Sequence, residues 1–356
     1  MLTRREFLKR GALFTGALTL GQYLDTDRFQ VVWPDAELLG RNCAGGILNL
    51  RAKPSPNGQL LATIYEDSVF VWIREVIGDA GGLYSRKWVE TPDGYVYSPG
   101  VQMVKNLPNP TIETLPFIGP NAGFWAEVTI PYVDLVQANP PPRSPWLSQA
   151  AHPRLYYSQV VWIDDLRKGS QGQMLYRVNE RYGSYGDVFW ATGEAFRPIT
   201  VEEVSPINPD AQNKKIVVDV NHQTLVCYEG NQEVYYCQVS TGALYDRNGT
   251  RVEEWATPPG PHPISRKLVS IHMAGGGLDT GWDTPGIGWT SLFSEGAAIH
   301  STFWHNAFGT PKSHGCVNCK PEDSKWIFRW TMPIVTYEPG DITVQMPGGT
   351  VVDVVY

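Results

Sequence analysis

The sequence predicts a mostly β protein made of small sheets, with one short helix near its end. The 356 residues include 35 Gly, 28 Pro, 13 Trp and 17 Tyr, a composition typical of short strands joined by tight turns. Val, Ile and Tyr recur in short alternating runs, as strands with one buried face require. At roughly 100 to 200 residues per domain, this length predicts two or three domains.

Residues 1–24, MLTRREFLKRGALFTGALTLGQYL, have the pattern of an export signal. Basic residues that include Arg4 and Arg5 precede an apolar stretch from Gly11 that is short for a membrane span. The run TRREFLK resembles the twin-arginine consensus, which implies export of a folded protein to an extracytoplasmic location, the cell wall or the periplasm. No small-x-small cleavage motif is evident, so membrane anchoring by this segment stays open. The alternative is a basic amphipathic start to a first domain.

The charge and the cysteine content argue against several classes of protein. The formal net charge is −7, and no block of Lys or Arg alternates with aromatic residues, so a nucleic-acid partner is not expected. Five scattered cysteines do not make the framework of a disulfide-rich domain. Cys227 and Cys237 flank a predicted hairpin turn at Gly230 and Asn231. That register pairs Cys227 with Val234, which argues against a disulfide.

Pro- and Gly-rich segments divide the chain into three stretches. Residues 43–105 alternate as short strands around the turns PSPNG and TPDG, and predict a small barrel. The runs LNLRAKPS and WVETPDGYVYSPGVQMV resemble bacterial SH3-like domains, which implies that this barrel binds cell-wall polymer. Residues 123–204 predict a second, degenerate barrel of the same kind. Residues 214–356 form the final domain.

The segment KSHGCVNC, residues 312–319, concentrates chemically active side chains. Cys316 and Cys319 have Cys-x2-Cys spacing and His300 and His305 have His-x4-His spacing, each of which suits a tetrahedral zinc site. A redox pair of the two cysteines is a further alternative, although the surrounding βαβ pattern is missing. A nucleophile site needs a thiol, an imidazole, main-chain N–H groups for an oxyanion and a Gly for a tight turn. All four are present.

The run IHSTFWHNAFGTPKSHGCVN resembles the signature of the L,D-transpeptidase (YkuD-like) catalytic domain. STG at 240–242 and TPPGPHPI at 257–264 match further segments of that family, and the resemblance covers about residues 214–356. It implies a β-sandwich that cross-links peptidoglycan stem peptides through a cysteine thioester, with no metal and no cofactor. An L,D-carboxypeptidase that uses the same acyl-enzyme and a non-catalytic cell-wall-binding protein remain alternatives.

The resemblance also implies roles for individual residues. Cys316 corresponds to the nucleophile, His300 to the general base, and the main-chain carbonyl of Ser301 to the group that orients the imidazole. His314, Gly315 and Asn318 match the motif positions that shape the loop. The main-chain N–H groups at 314–316 would form the oxyanion hole. Four residues are further candidates for lining a substrate groove, although a loop or rim position without a chemical role is the simpler explanation for the histidines, and core packing for the tryptophans. They are Trp289, Trp304, His305 and His272.

Four further expectations concern the final domain. Cys319 replaces a residue that is usually apolar, so we expect a small buried side chain there. Pairing with His300 or with N–H donors is expected to favour the thiolate of Cys316. PEDSKWIFRW, residues 321–330, predicts a helix with Pro at its first position and acidic residues in its first turn. A fragment that begins near Lys214 is expected to keep the chemistry.

Overall fold

The described part of the protein contains far more β-strand than helix, which confirms the predicted mostly β class. The structure is a computed structural model that describes residues 32–137, 141–245, 250–275 and 282–356. The predicted export signal at residues 1–24 lies outside these ranges. Among the residues described, no helix is long and apolar enough to cross a membrane.

The N-terminal module, residues 39–104, contains two small antiparallel sheets. Their strand orders are β4-β1-β8 and β3-β2-β7-β6-β5. The strands are β1 (Leu39–Asn42), β2 (Leu48–Arg51), β3 (Leu60–Ile64), β4 (Val69–Val71), β5 (Arg74–Ile77), β6 (Lys87–Thr91), β7 (Gly94–Tyr97) and β8 (Val101–Val104). The turns PSPNG and TPDG separate β2 from β3 and β6 from β7, as the sequence predicts. The module begins before the expected boundary at residue 43. β1 belongs to it, because β1 is the central strand of the three-stranded sheet.

The central module, residues 124–204, is built on a six-stranded sheet with the order β11-β15-β14-β13-β9-β16, and β10 pairs separately with β12. The strands are β9 (Phe124–Val128), β10 (Tyr132–Asp134), β11 (Val136–Gln137), β12 (Arg154–Tyr156), β13 (Val160–Lys168), β14 (Met174–Asn179), β15 (Val188–Thr192) and β16 (Phe196–Pro198), and the helices are α1 (Pro145–Gln149) and α2 (Val201–Val204). α2 begins with a capping box, in which the side chains of Thr200 and Glu203 each accept a main-chain N–H of the other residue.

The C-terminal module, residues 214–355, is a sandwich of two five-stranded sheets. Their orders are β19-β18-β17-β26-β20 and β24-β23-β22-β21-β25. The elements are β17 (Lys214–Asp219), β18 (Thr224–Glu229), β19 (Gln232–Gln238), β20 (Gly260–Pro263), β21 (Arg266–Gly275), β22 (Trp282–Ser294), β23 (Ala297–Ser301), β24 (Val317–Cys319), α3 (Pro321–Trp330), β25 (Asp341–Thr343) and β26 (Val351–Val355). Apolar side chains of both sheets and of α3 share one core, among them Ile216, Val352, Ile299, Val317 and Ile327.

In this module the predicted helix is confirmed, whereas the predicted register of the cysteine hairpin is off by one residue. α3 spans Pro321–Trp330, as predicted, and the rings of Trp326 and Trp330 stack on one face with centroids 5.7 Å apart. The hairpin of β18 and β19 pairs Cys227 with Tyr235, one residue beyond the predicted Val234, because a bulge follows Cys227. Both hairpin cysteines are free thiols.

The central and C-terminal modules share an apolar core. Trp125, Val160 and Trp162 of the central module pack in one cluster with apolar residues of β21, β22 and α3. The indole N–H of Trp125 donates a 2.7 Å hydrogen bond to the main-chain oxygen of Tyr337, and the Tyr337 hydroxyl donates to Ile199 O at 2.9 Å. A fragment that begins at Lys214 would expose half of this common core, so we expect it to be less stable than the full chain.

We expect Trp125→Ala to reduce the free energy of unfolding by about 3–5 kcal/mol, because it removes a large buried side chain and its hydrogen bonds. Thermal unfolding followed by circular dichroism measures the effect. The control is Tyr65→Ala, whose side chain is 68% exposed, and it should unfold near the wild-type temperature. A fragment of residues 214–356 as stable as the full chain would contradict the shared core.

Candidate active site

The motif loop, residues 312–316, is fixed by its neighbours on both sides. It leads into β24, which pairs in parallel with β23 so that His300 lies opposite Asn318. Ser240 and Asn318 exchange two main-chain hydrogen bonds of 2.9 Å, and the Ser313 N–H donates to Thr241 O at 3.0 Å. The STG segment that the sequence analysis singled out therefore forms one wall of the loop.

Glycine is required at two points of this arrangement. Gly315 has φ +111°, a left-handed conformation that side chains disfavour, and its N–H donates to Ser313 Oγ at 3.2 Å. The Ser313 hydroxyl in turn donates to Cys316 O, which closes a tight turn before the thiol. At Gly242, an added Cβ would lie 1.8 Å from the main-chain oxygen of Trp255.

Cys316 is partly exposed, and its sulfur interacts with main-chain groups of the β22–β23 connection and β23. The thiol approaches Gly296 O at 3.7 Å, and the Ala298 N–H donates to Sγ. Burial of the sulfur raises the pKa of Cys316 to about 11, although the Ala298 N–H acts in the opposite direction. This differs from the expected thiolate, because removal of the sulfur from water outweighs the single donor.

His300 is buried and has a defined tautomer. Its Nδ1 lies 2.9 Å from the main-chain oxygen of Ser301, the contact expected from the sequence. Because a carbonyl only accepts, Nδ1 carries the proton and Nε2 keeps its lone pair. Burial lowers the pKa of His300 to about 4, although the Ser301 carbonyl acts in the opposite direction. The ring stacks on Trp304 with centroids 5.8 Å apart. At neutral pH the thiol and the imidazole are therefore both uncharged.

His305 and Asn318 form a buried pair that supports the loop from behind. The Ala307 N–H donates to His305 Nδ1 at 3.1 Å. Burial also holds the pKa of His305 well below its usual range, so the neutral ring carries its proton on Nε2. The Asn318 side chain lies 2.9 Å from this Nε2–H group, and its Oδ1 otherwise lacks a partner. The pair is satisfied when Asn318 presents Oδ1 to the imidazole.

Two tryptophans that the sequence analysis missed flank the exposed His314 ring. Trp282 stacks on it with centroids 4.9 Å apart, and Trp255 meets it edge-on at 4.4 Å. Trp282 is 39% exposed, so this aromatic cluster forms part of the site's surface. No local signal identifies these residues, because both are distant from the motif in sequence.

Two of the groove candidates, Trp289 and His272, lie in the interior and not at a surface groove. Trp289 is 2% exposed and packs edge-on against Phe328 in the shared core. His272 lies within β21 rather than in a loop, and its ring is held between Glu180 at 2.7 Å and Asp283 at 2.5 Å. These contacts explain both residues as parts of the interior.

The geometry does not support the zinc and redox alternatives. Cys319 is fully buried in the sandwich core beside Cys237, as expected for a small apolar side chain. Alternation along β24 points Val317 and Cys319 into that core and Asn318 towards His305. Within residues 32–356, outside the gaps at 138–140, 246–249 and 276–281, no group of three or more His, Cys, Asp or Glu side chains could hold a metal ion.

We expect Cys316 to be a thiol at neutral pH and to ionise only as the pH rises towards about 11. The difference in ultraviolet thiolate absorbance between the wild type and Cys316→Ala should be absent at neutral pH and appear in strongly alkaline solution. Cys319→Ala should match the wild type at neutral pH, because the Cys237 contact and burial raise the pKa of Cys319 well above its usual value. Thiolate absorbance of Cys316 at neutral pH would contradict the neutral resting state.

We expect Asn318→Ala to lower the free energy of unfolding by about 1–3 kcal/mol, because it leaves the buried His305 N–H without an acceptor. In a His305→Phe background, Asn318→Ala should lower the free energy of unfolding by less than it does in the wild type, because the phenylalanine ring has no N–H to satisfy. Denaturant unfolding of the four proteins measures this coupling. Additive effects would show that the two side chains do not bond.

Comparison with known proteins agrees with the sequence assignment. Residues 213–354, less than half of the chain, match the family model described as YkuD, L,D-transpeptidase catalytic domain. No curated protein matches the chain.

Several solved structures are similar to part of the chain. One is the Enterococcus faecium L,D-transpeptidase in a cysteine-to-serine form, 20% identical, with 41% of this chain and 51% of that chain covered and a TM-score of 0.31. This chain therefore spans about half the length of that relative. Another is the L,D-transpeptidase from Mycobacterium smegmatis, which is 14% identical. The match covers 63% of this chain and 99% of that chain, with a TM-score of 0.32.

Proposed function

We propose that the L,D-transpeptidase catalytic domain at residues 213–354 is an active acyltransferase that uses Cys316 as nucleophile and His300 as general base. The observation that carries this proposal is the His300 tautomer. The hydrogen bond from Nδ1 to Ser301 O leaves the Nε2 lone pair available, and the parallel pairing of β23 with β24 keeps the imidazole next to the motif loop. A binding domain would not need a buried base in this protonation state.

The substrate is a peptidoglycan stem peptide, and the reaction begins at the bond between an L-centre of a diamino acid and a D-amino acid. Cys316 Sγ attacks the carbonyl carbon while its proton passes to His300 Nε2. The C–N bond then breaks, and the same proton leaves with the amine of the D-residue. Because both groups are neutral at rest, proton transfer accompanies the attack. The low pKa of His300 favours return of the proton to the leaving amine.

The developing oxyanion needs N–H donors, and the proposal assigns this role to the main chain at 314–316. In the resting structure the Gly315 N–H is donated to Ser313 Oγ. To donate to the oxyanion, the Gly315 N–H would have to break this hydrogen bond and turn towards the substrate. His314, between its two tryptophans, lies at the exposed side of the loop and is assigned to the substrate surface.

The acyl-enzyme has two fates. An amine of a second stem peptide gives a cross-link, whereas water gives an L,D-carboxypeptidase reaction. Both use the same two residues. We assign transpeptidation, and product analysis by mass spectrometry distinguishes a cross-linked dimer from a shortened monomer. Neither fate requires a metal or an organic cofactor, because the thiol and the imidazole supply the chemistry.

The remaining parts of the chain receive supporting roles in this proposal. The resemblance of residues 43–105 to SH3-like domains supports binding of cell-wall polymer by the N-terminal module. The run TRREFLK supports export by the twin-arginine route, which would bring the folded enzyme to its substrate outside the cytoplasm. Replacement of Arg4 and Arg5 by Lys should then keep the protein inside the cell, which fractionation measures.

Intact-mass spectrometry after incubation with a stem tetrapeptide tests the catalytic proposal. We expect a covalent adduct, with loss of the terminal D-residue, on the wild type and on Cys319→Ala, and none on Cys316→Ala. His300→Ala should form the adduct about 10²–10⁴ times more slowly, because the thiol loses its base. A chelator should have no effect. Loss of acylation in Cys319→Ala, or an adduct that persists in Cys316→Ala, would overturn the assignment.

A further inference from the structure

A cavity of about 550 Å³ lies where the three modules meet. Its walls come from β8, from the turn after β12, from residues 302–308 and from the start of α3. Cys316, His300 and His314 are not among the described residues that line it. The cavity is therefore a separate feature that involves all three modules.

Two buried hydroxyl groups in the cavity walls lack a hydrogen-bond partner. Ser158 and Thr302 are each 3% exposed, and neither side-chain oxygen has a partner among the described residues. Ser158 is also held at φ +70°, where its N–H donates to Val128 O at 2.8 Å. Buried polar groups are normally satisfied, so unsatisfied ones beside a cavity are typical of a binding site whose ligand or water supplies the missing bonds.

The charges around the cavity divide into paired and unpaired groups. Glu127 pairs with Arg197 at 2.7 Å, and Lys325 pairs with Glu203. In contrast, the side chains of Lys105, Lys320 and Glu322 form no salt bridge or hydrogen bond with any described residue. The wall thus offers two ammonium groups and one carboxylate, which complement a ligand that carries carboxylates together with an amine.

The cavity is connected to the candidate active site through residues 302–308. The Thr302 N–H donates to Cys319 O at 2.9 Å, and His305 lines the cavity while it contacts Asn318. The N-terminal module holds the same segment, because the Asn306 N–H donates to Pro99 O at 3.0 Å. An occupant would therefore contact the segment that directly follows the proposed base.

We propose that this cavity is a second binding site for a stem peptide, distinct from the site where Cys316 is acylated. A stem peptide is amphoteric, since it carries free carboxylates and the amine of its diamino acid. Lys105 and Lys320 bind the carboxylates, and Glu322 binds the ammonium. The choice of ligand rests on the proposed function, whereas the site itself rests on the cavity and its unpaired groups.

Calorimetric titration of the full chain with a stem tripeptide tests the proposal. The tripeptide lacks the scissile D-residue and cannot acylate the enzyme. Cys316 is first alkylated to block the catalytic site, and the tripeptide should still bind to one site. The double variant Lys105→Gln/Lys320→Gln should weaken binding about tenfold or more, because two charge contacts are lost. Met103→Trp, which places a large ring in the cavity wall, should weaken it as well.

Two controls identify the contacts. Lys168→Gln removes an exposed lysine of the central module that lies outside the cavity, and it should leave binding unchanged. The wild type should bind a tripeptide acetylated on its side-chain amine more weakly than the unmodified tripeptide. Glu322→Gln should bind both tripeptides with the same reduced affinity. Equal affinity of the two peptides for the wild type would overturn the amphoteric assignment.

The outcomes separate this proposal from the catalytic one. If the unmodified protein forms the Cys316 adduct but the alkylated protein does not bind the tripeptide, the second site is wrong and the catalytic proposal stands. If the tripeptide binds with the predicted dependence on Lys105 and Lys320 but no adduct forms, the second site stands and the catalytic proposal fails. Binding that ignores every cavity variant overturns the second site.

Discussion

The candidate site depends on a short parallel pairing between β23 and β24. β24 is only three residues long, and an isolated parallel pair of this length would not persist in water. It is held because Asn318 also exchanges main-chain hydrogen bonds with Ser240, and because Val317 and Cys319 are buried in the sandwich core. The position of Cys316 relative to His300 therefore follows from sheet register and apolar burial.

Burial also determines the electrostatics of the site. The sulfur of Cys316 is partly buried and the ring of His300 is buried, and this burial favours the neutral form of both residues. Among the described residues, the Ala298 N–H donates to the sulfur and the Ser301 carbonyl accepts from the ring, which orients the two groups without charging them. In the proposed reaction, charge would appear only when substrate is bound and the main-chain donors can stabilise it.

A buried arginine adds to the contacts between the N-terminal module and the segment after the proposed base. The Arg41 guanidinium forms a 2.7 Å ion pair with Asp67 and donates to Phe303 O at 3.3 Å. It also lies over the ring of Tyr156, 3.9 Å from its centroid. A buried charge with several partners has one low-energy position, so Arg41 couples the N-terminal and central modules to the segment at Phe303.

The sequence alone determined the β class, the helix at Pro321–Trp330 and the motif residues, because these follow from local patterns and from a contiguous motif. The contact between His300 and Ser301 O was implied by the family resemblance, and the structure contains it. It did not identify Trp255 and Trp282 beside His314, and it suggested a groove role for Trp289 and His272. The contacts that place these four side chains join residues that are remote in sequence, such as His272 and Glu180. Only the tertiary structure also decided the protonation states, because the pKa of a thiol or an imidazole depends on how much water the rest of the fold excludes.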